Sequence, residues 1–222
     1  MTEISDIPSS MSDERNKDLN EKWIYKMKTV KTLGTRKLVL LALLTAIVIM
    51  LQVLSSIIPV YPFRLNLVLI PIVIGAALVA PLAGCWLGLV FGFVVLISSP
   101  DVIPFMTFNP LATIGVVLVR GALAGLAAGF TYKALAKKGK TIAVFTAAAV
   151  CAITNTGIFI VGTYVFFLPV LAGWGVAGAA DIASFIFIGM IGFNFFFELI
   201  VNLIFSPTIV WLLQLSQDKK VT

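Results

Sequence analysis

The chain has 222 residues, of which 60% are hydrophobic and 12% charged, and its mean hydropathy is +1.08. A soluble domain carries about 45–50% apolar and ~25% charged residues, so the composition excludes a soluble fold and leaves an integral membrane protein. The net charge of +6 does not signal nucleic-acid binding, because the basic residues lie where the positive-inside rule would put them.

Eight of the 16 Lys and Arg fall in the first 37 residues, four more at Lys133, Lys137, Lys138 and Lys140, and two at Lys219 and Lys220. Only Arg64 and Arg120 lie elsewhere. This distribution predicts an all-α, six-transmembrane-helix bundle with N and C termini cytoplasmic. Residues 1–35 are expected as a polar basic tail, 36–214 as the membrane domain and 215–222 as a second short tail. The start, Met1 to Asn20, is polar and of mixed charge, with no evident cleavable signal.

The first span, Lys37 to Ile58, is almost unbroken apolar sequence, about 20 residues, or ~30 Å of helix. Ala42 and Ala46 share one of its faces. Small residues at that spacing admit a close neighbour, either a partner's helix or another helix of the same chain. Ile58 to Arg64 holds two prolines and reads as an external loop. Asn66 to Ala80 is short for a perpendicular span. It pairs with 82–98 across a tight turn at Pro81, giving a helical hairpin partly sheltered by protein. Gly84, Gly88 and Gly92 align on one face of the second arm.

Ser98 to Pro110 carries three prolines, at 100, 104 and 110. It is expected as an irregular external segment that Phe105, Met106 and Phe108 hold down over the bundle. A fourth span covers about 111–132, with Arg120 near its middle and Gly121, Gly125 and Gly129 as a second ridge. The lysine-rich loop follows, then a fifth span over about 141–166 with Asn155 in mid-span. Phe167 to Ala180, with Trp174, reads as a third external segment. A sixth span, about 183–213, carries Asn194, Glu198 and Asn202 at steps of four.

Ionisable groups within a membrane are costly and face the bundle interior or water. Here they are Arg64, Asp101, Arg120, Asp181 and Glu198. Arg64 and Arg120 with Asn66, Asn109, Asn155 and Asn194 can line a pocket for a small polar solute, walled by Tyr61, Phe105 and Trp174. Asp181 lies on the same side. The alternative for Arg120 is an internal ion pair with Glu198 or Asp181. No catalytic or metal-binding residues are expected. The chain has no His, no Gly-x-Ser-x-Gly elbow and no Walker A motif. Cys85 and Cys151 read as small buried hydrophobes. The chain is thus expected to be no enzyme and to lack an evident energy source of its own.

That combination resembles the S components of energy-coupling factor (ECF) transporters, the prokaryotic vitamin-uptake systems. The resemblance rests on Ala42-Leu-Leu-Thr-Ala46, on Ile70-Pro-Ile-Val-Ile-Gly75-Ala76 with Pro81-Leu-Ala-Gly84 and Gly88, and on Arg120-Gly-Ala-Leu-Ala-Gly125. It implies a six-helix subunit in the cell membrane that binds one vitamin on its external side, with Pro59 to Leu65 as a lid. It also implies that Ala42 and Ala46 contact a membrane-embedded scaffold subunit. Two ATPase subunits would use ATP and Mg, and no cofactor would reside in this chain. Two arginines near the pocket favour an anionic vitamin, with pantothenate first and folate, riboflavin or cobalamin as alternatives. A stand-alone proton-coupled transporter using Asp181 or Glu198 is the competing expectation.

Overall fold

The computed structural model describes residues 34–57 and 67–173, together with Lys17, Phe196, 199–201, 203–207, Val210 and Trp211. The chain divides into two units, Met1–Leu38 and Val39–Thr222, and the architecture below is that of the second. The expected site residues Arg64, Asn66, Trp174, Asp181 and Asn194, with Tyr61 and Glu198, lie outside the described residues, as does most of the sixth span.

The described elements are helical. They are α1 (Thr35–Ile57), α2 (Leu69–Leu78), α3 (Pro81–Ser98), a 3₁₀ turn (Pro100–Val102), α4 (Ile103–Phe108), α5 (Pro110–Leu135), α6 (Lys140–Phe166) and α7 (Leu168–Gly173). Four of them, α1, α3, α5 and α6, are long and apolar enough to cross a membrane. These four match the expected first, third, fourth and fifth spans to within a few residues at each end.

The helices pack through small residues because lipid is as apolar as any side chain, so close van der Waals contact must replace hydrophobic expulsion. The two glycine ridges prove to be the two halves of one seam. Gly84 meets the backbone of Gly125, and Gly88 meets that of Gly121. At Gly92 an added Cβ would stand 2.8 Å from the Val117 carbonyl oxygen. Each step of four forward on α3 is matched by a step of four back on α5, as antiparallel helices require. The seam ends where Gly129 abuts Pro81. The expected hairpin of α2 and α3 is present, with Gly75 against Leu87 and Ala76 against Gly84, while the glycine face of α3 also turns to α5.

α2 is a short helix of ten residues enclosed by protein, with Leu69, Pro71, Ile72, Val73, Gly75 and Ala76 all buried. At 1.5 Å per residue it covers about 15 Å, half a hydrocarbon core, and its enclosure shows why that length suffices. The core around it is built from Val48, Leu87, Phe91, Val144, Ala147 and Ala148.

α1 is the least buried of the four long helices. Its inward face is Leu44, Val48 and Gln52. Ala42 and Ala46 lie on the opposite side and are exposed. They are therefore not packed against α2, α3, α5 or α6.

Near the end of α1 a polar clasp ties it to α3. Gln52 Nε2 donates to Ser99 Oγ at 3.1 Å and to Ser56 Oγ at 3.3 Å. Ser56 Oγ lies 3.0 Å from Ser98 Oγ. Where lipid excludes water from this end, these bonds have no competitor.

The stretch 98–110, expected to be irregular, is largely helical. Pro100 opens the 3₁₀ turn, Pro104 sits in the first turn of α4, and Pro110 opens α5. In a first turn the missing N–H has no intrahelical partner to lose, and the fixed φ favours the helix. The three prolines divide this stretch into short helices without abolishing helix. Asn109 Oδ1 accepts from the Ala112 N–H at 3.1 Å and caps α5. At the other end of the bundle the lysine loop reverses through Gly139, whose φ of 156° suits a residue without a Cβ.

The seam makes a sharp prediction. Gly88→Ala would drive a methyl group into the Gly121 carbonyl. It should cost about 3 kcal/mol and lower the melting temperature by roughly 6–12 °C. Gly115→Ala, where nothing lies within 4 Å of the new methyl, should melt at or slightly above wild type. Thermal unfolding of the purified variants in one detergent checks both.

Candidate functional site

The site is built where α3, α5 and α6 meet. Arg120 lies ten residues into α5, about 15 Å from its start, and is half-buried. Its guanidinium carbon sits 5.9 Å from the ring centroid of Phe91 on α3 and 5.1 Å from that of Phe159 on α6. The glycine seam sets this register. Phe91 follows Gly88 by three residues, and Arg120 immediately precedes Gly121.

The guanidinium carries a positive charge into the bundle. A cation at the centre of a membrane helix costs about 2.5–3.5 kcal/mol. An aromatic face within about 6 Å returns roughly 0.5–2 kcal/mol when water is excluded. Two rings therefore offset a large part of the cost, and the head group is held inside the bundle instead of reaching for its edge.

α6 presents a column of residues toward this centre. Asn155, Phe159 and Thr163 step by four and share one face, and Phe167 continues it just past the helix end. Asn155 is 4% exposed and Thr163 2% exposed. Asn155 Oδ1 and Thr163 Oγ1 are both buried without a hydrogen-bond partner. α6 is held against α5 at this level by Gly162, where an added Cβ would lie 2.6 Å from Val116 Cγ1.

α4 closes the column. Phe105 is buried, with its ring edge-on to Phe159 at 6.2 Å and to Phe167 at 5.0 Å. Such T-shaped pairs contribute about 0.5–1.5 kcal/mol beyond their burial. Met106 packs on the core, whereas Phe108 is exposed. The segment thus folds over this end of the bundle, held chiefly by Phe105.

Of the residues expected to line a pocket, Arg120 and Asn155 are linked through Phe159, which faces the Arg120 guanidinium and lies one turn along α6 from Asn155. Asn109 does not join them directly. It stands at the start of α5, about 16 Å along the helix from Arg120, and commits its Oδ1 to the cap. Asp101 is exposed on the 3₁₀ turn. Phe91, Phe159, Phe167 and Thr163 were not singled out from sequence. A four-residue period of Asn155, Phe159, Thr163 and Phe167 was the available signal, but it sits in a chain with 17 Phe. Among the described residues no group of His, Cys, Asp or Glu could hold a metal ion. Cys85 and Cys151 are free thiols.

These features define a multi-pass helical membrane protein whose interior holds an arginine between aromatic rings beside a buried carboxamide. Residues 36–211 match the family described as ECF transporter, substrate-specific component, and the chain belongs to that family. Its members are substrate-binding membrane subunits, not enzymes, and they work with scaffold and ATPase subunits. No curated protein and no solved structure matches the chain.

The ring contacts can be tested apart from packing. Phe159→Leu keeps an apolar side chain but removes the quadrupole under the guanidinium. It should cost about 1 kcal/mol, or about 2–4 °C in melting temperature. Phe159→Tyr should stay close to wild type. Equal melting of the two variants would reduce Phe159 to a space-filler.

Proposed function

We propose that this chain is the high-affinity binding subunit of an ATP-driven ECF-type uptake transporter and that its substrate is a small anionic vitamin, pantothenate first. The observation that carries the reading is Arg120, a charged guanidinium kept inside the bundle between Phe91 and Phe159. Arg offers a carboxylate a paired, charge-assisted contact that no neutral side chain matches. Asn155, one turn along α6 from Phe159, adds a carboxamide for a neutral group of the ligand. Riboflavin would draw more on stacking than on charge. Arg64, Asn66, Asn109, Trp174, Asp181 and Asn194 remain proposed contributors from the outer segments.

The binding end is the one that carries Phe105, and it faces outward. The lysine-rich loop and both termini face the cytoplasm of a prokaryotic cell, in accord with the positive-inside rule. The exposed Ala42–Ala46 face of α1 docks on the scaffold subunit, since small residues permit close helix approach. Energy comes from two partner ATPases that use ATP and Mg, and this chain holds no cofactor.

Titration calorimetry of the purified chain with pantothenate, folate and riboflavin tests the substrate. Pantothenate is expected to bind, and Arg120→Gln to weaken it at least tenfold, as loss of a charged hydrogen bond of about 1.5–3 kcal/mol requires. Undiminished binding by that variant would remove Arg120 from the site.

The docking face is tested by replacing Ala42 and Ala46 with Trp. Co-purification with scaffold and ATPases should be lost while vitamin affinity stays within about twofold, a change of under 0.5 kcal/mol. Gradient-driven uptake by the lone chain in vesicles would instead favour a self-sufficient transporter.

A further inference from the structure

We infer that Thr163 is a second recognition point in the same site, one that takes a hydroxyl or amide group of the ligand about one helical turn, ~6 Å, from the Arg120 level. The inference rests on the binding role proposed above. It starts from a contrast within this chain. Helical hydroxyls can bond to the carbonyl four residues back. Thr45 does so to Leu41 at 2.8 Å, Ser56 to Gln52 at 2.9 Å, Ser98 to Val94 at 2.8 Å, Thr113 to Asn109 at 2.8 Å and Thr146 to Ile142 at 2.8 Å.

Thr163 makes no such bond. It is 2% exposed, yet its Oγ1 has no hydrogen-bond partner. A buried hydroxyl without a partner carries a desolvation cost that a fold rarely tolerates without a use for it. Its position supplies the use. Phe159 and Phe167 bracket it on the same face of the chain, and both meet the ring of Phe105. The hydroxyl therefore lies at the level covered by α4, one turn beyond the ring under the Arg120 guanidinium. Asn155 Oδ1, also buried without a partner, lies one turn to the other side.

The three levels specify an elongated ligand, with an acidic group at the arginine and neutral polar groups on either side. An acid that carries amide or hydroxyl groups along its length satisfies all three. A bare aliphatic acid leaves both neutral groups as they are. Since a hydroxyl both donates and accepts, Thr163 serves either kind of partner, whereas Asn155 Oδ1 demands a donor.

The test is calorimetry and ligand-free thermal melting on the full-length protein in detergent, with pantothenate, folate and riboflavin as probes. Thr163→Val keeps the shape and removes the hydroxyl, and Thr163→Ser restores it. For the vitamin that wild type binds, Thr163→Val should raise Kd about five- to tenfold, the scale of one neutral hydrogen bond. Thr163→Ser should stay within about twofold. Ligand-free Thr163→Val should melt no lower than wild type, because the hydroxyl has no internal partner to lose.

Unchanged affinity in Thr163→Val, with Arg120→Gln still defective, would overturn this inference and leave the proposed function standing. A lower ligand-free melting temperature restored by Ser would also overturn it, by giving the hydroxyl a structural partner. Failure of wild type to bind any of the three vitamins would bring down both readings.

Discussion

Between Gly88 and Gly121 two helix backbones meet with no side chain between them, and the rest of the bundle takes its geometry from that contact. In lipid the helices gain nothing by hiding apolar surface from a solvent that is itself apolar. What remains is dispersion, which falls off steeply with distance. The seam from Gly84 to Gly92 brings α3 and α5 as near as polypeptide permits. It also fixes their register, because each glycine is a notch for the opposing carbonyl. Phe91 and Arg120 inherit their juxtaposition from this alignment.

The site follows from the same scarcity of water. A guanidinium in hydrocarbon is expensive, and an uncommitted amide oxygen or hydroxyl is expensive on a smaller scale. The chain places all three kinds of group within two turns of α6 and roofs them with Phe105. Aromatic faces steady the cation from two sides without using its N–H donors.

Much of this was legible beforehand, for identifiable reasons. Unbroken apolar stretches of 20 or so residues admit few readings other than a span. Arg120 stood out because charge is rare in such sequence. Ala42 and Ala46 were read as a face of small residues, and they lie away from the described core. The pairing of the glycine ridges was not legible, since a ridge announces close approach without naming its neighbour. The stretch 98–110 was misread because proline was weighed as a breaker, whereas its effect depends on position within the turn. Phe91, Phe159 and Thr163 were invisible for a different reason: Phe and Thr are ordinary in a membrane helix, and only burial and the missing bond distinguish them.

The Gln52, Ser56, Ser98 and Ser99 clasp bears on how α1 stays with its bundle. Leu44 and Val48 would find lipid almost as congenial as protein, so their packing alone gives α1 a weak hold. The amide and hydroxyls cannot make that exchange, because a hydrocarbon tail offers them nothing. Adhesion at this end is therefore polar, and its strength varies with local dryness. A long-chain, bilayer-like surfactant preserves it, whereas a small, water-permeable micelle supplies the competing partners that would let this helix peel away first.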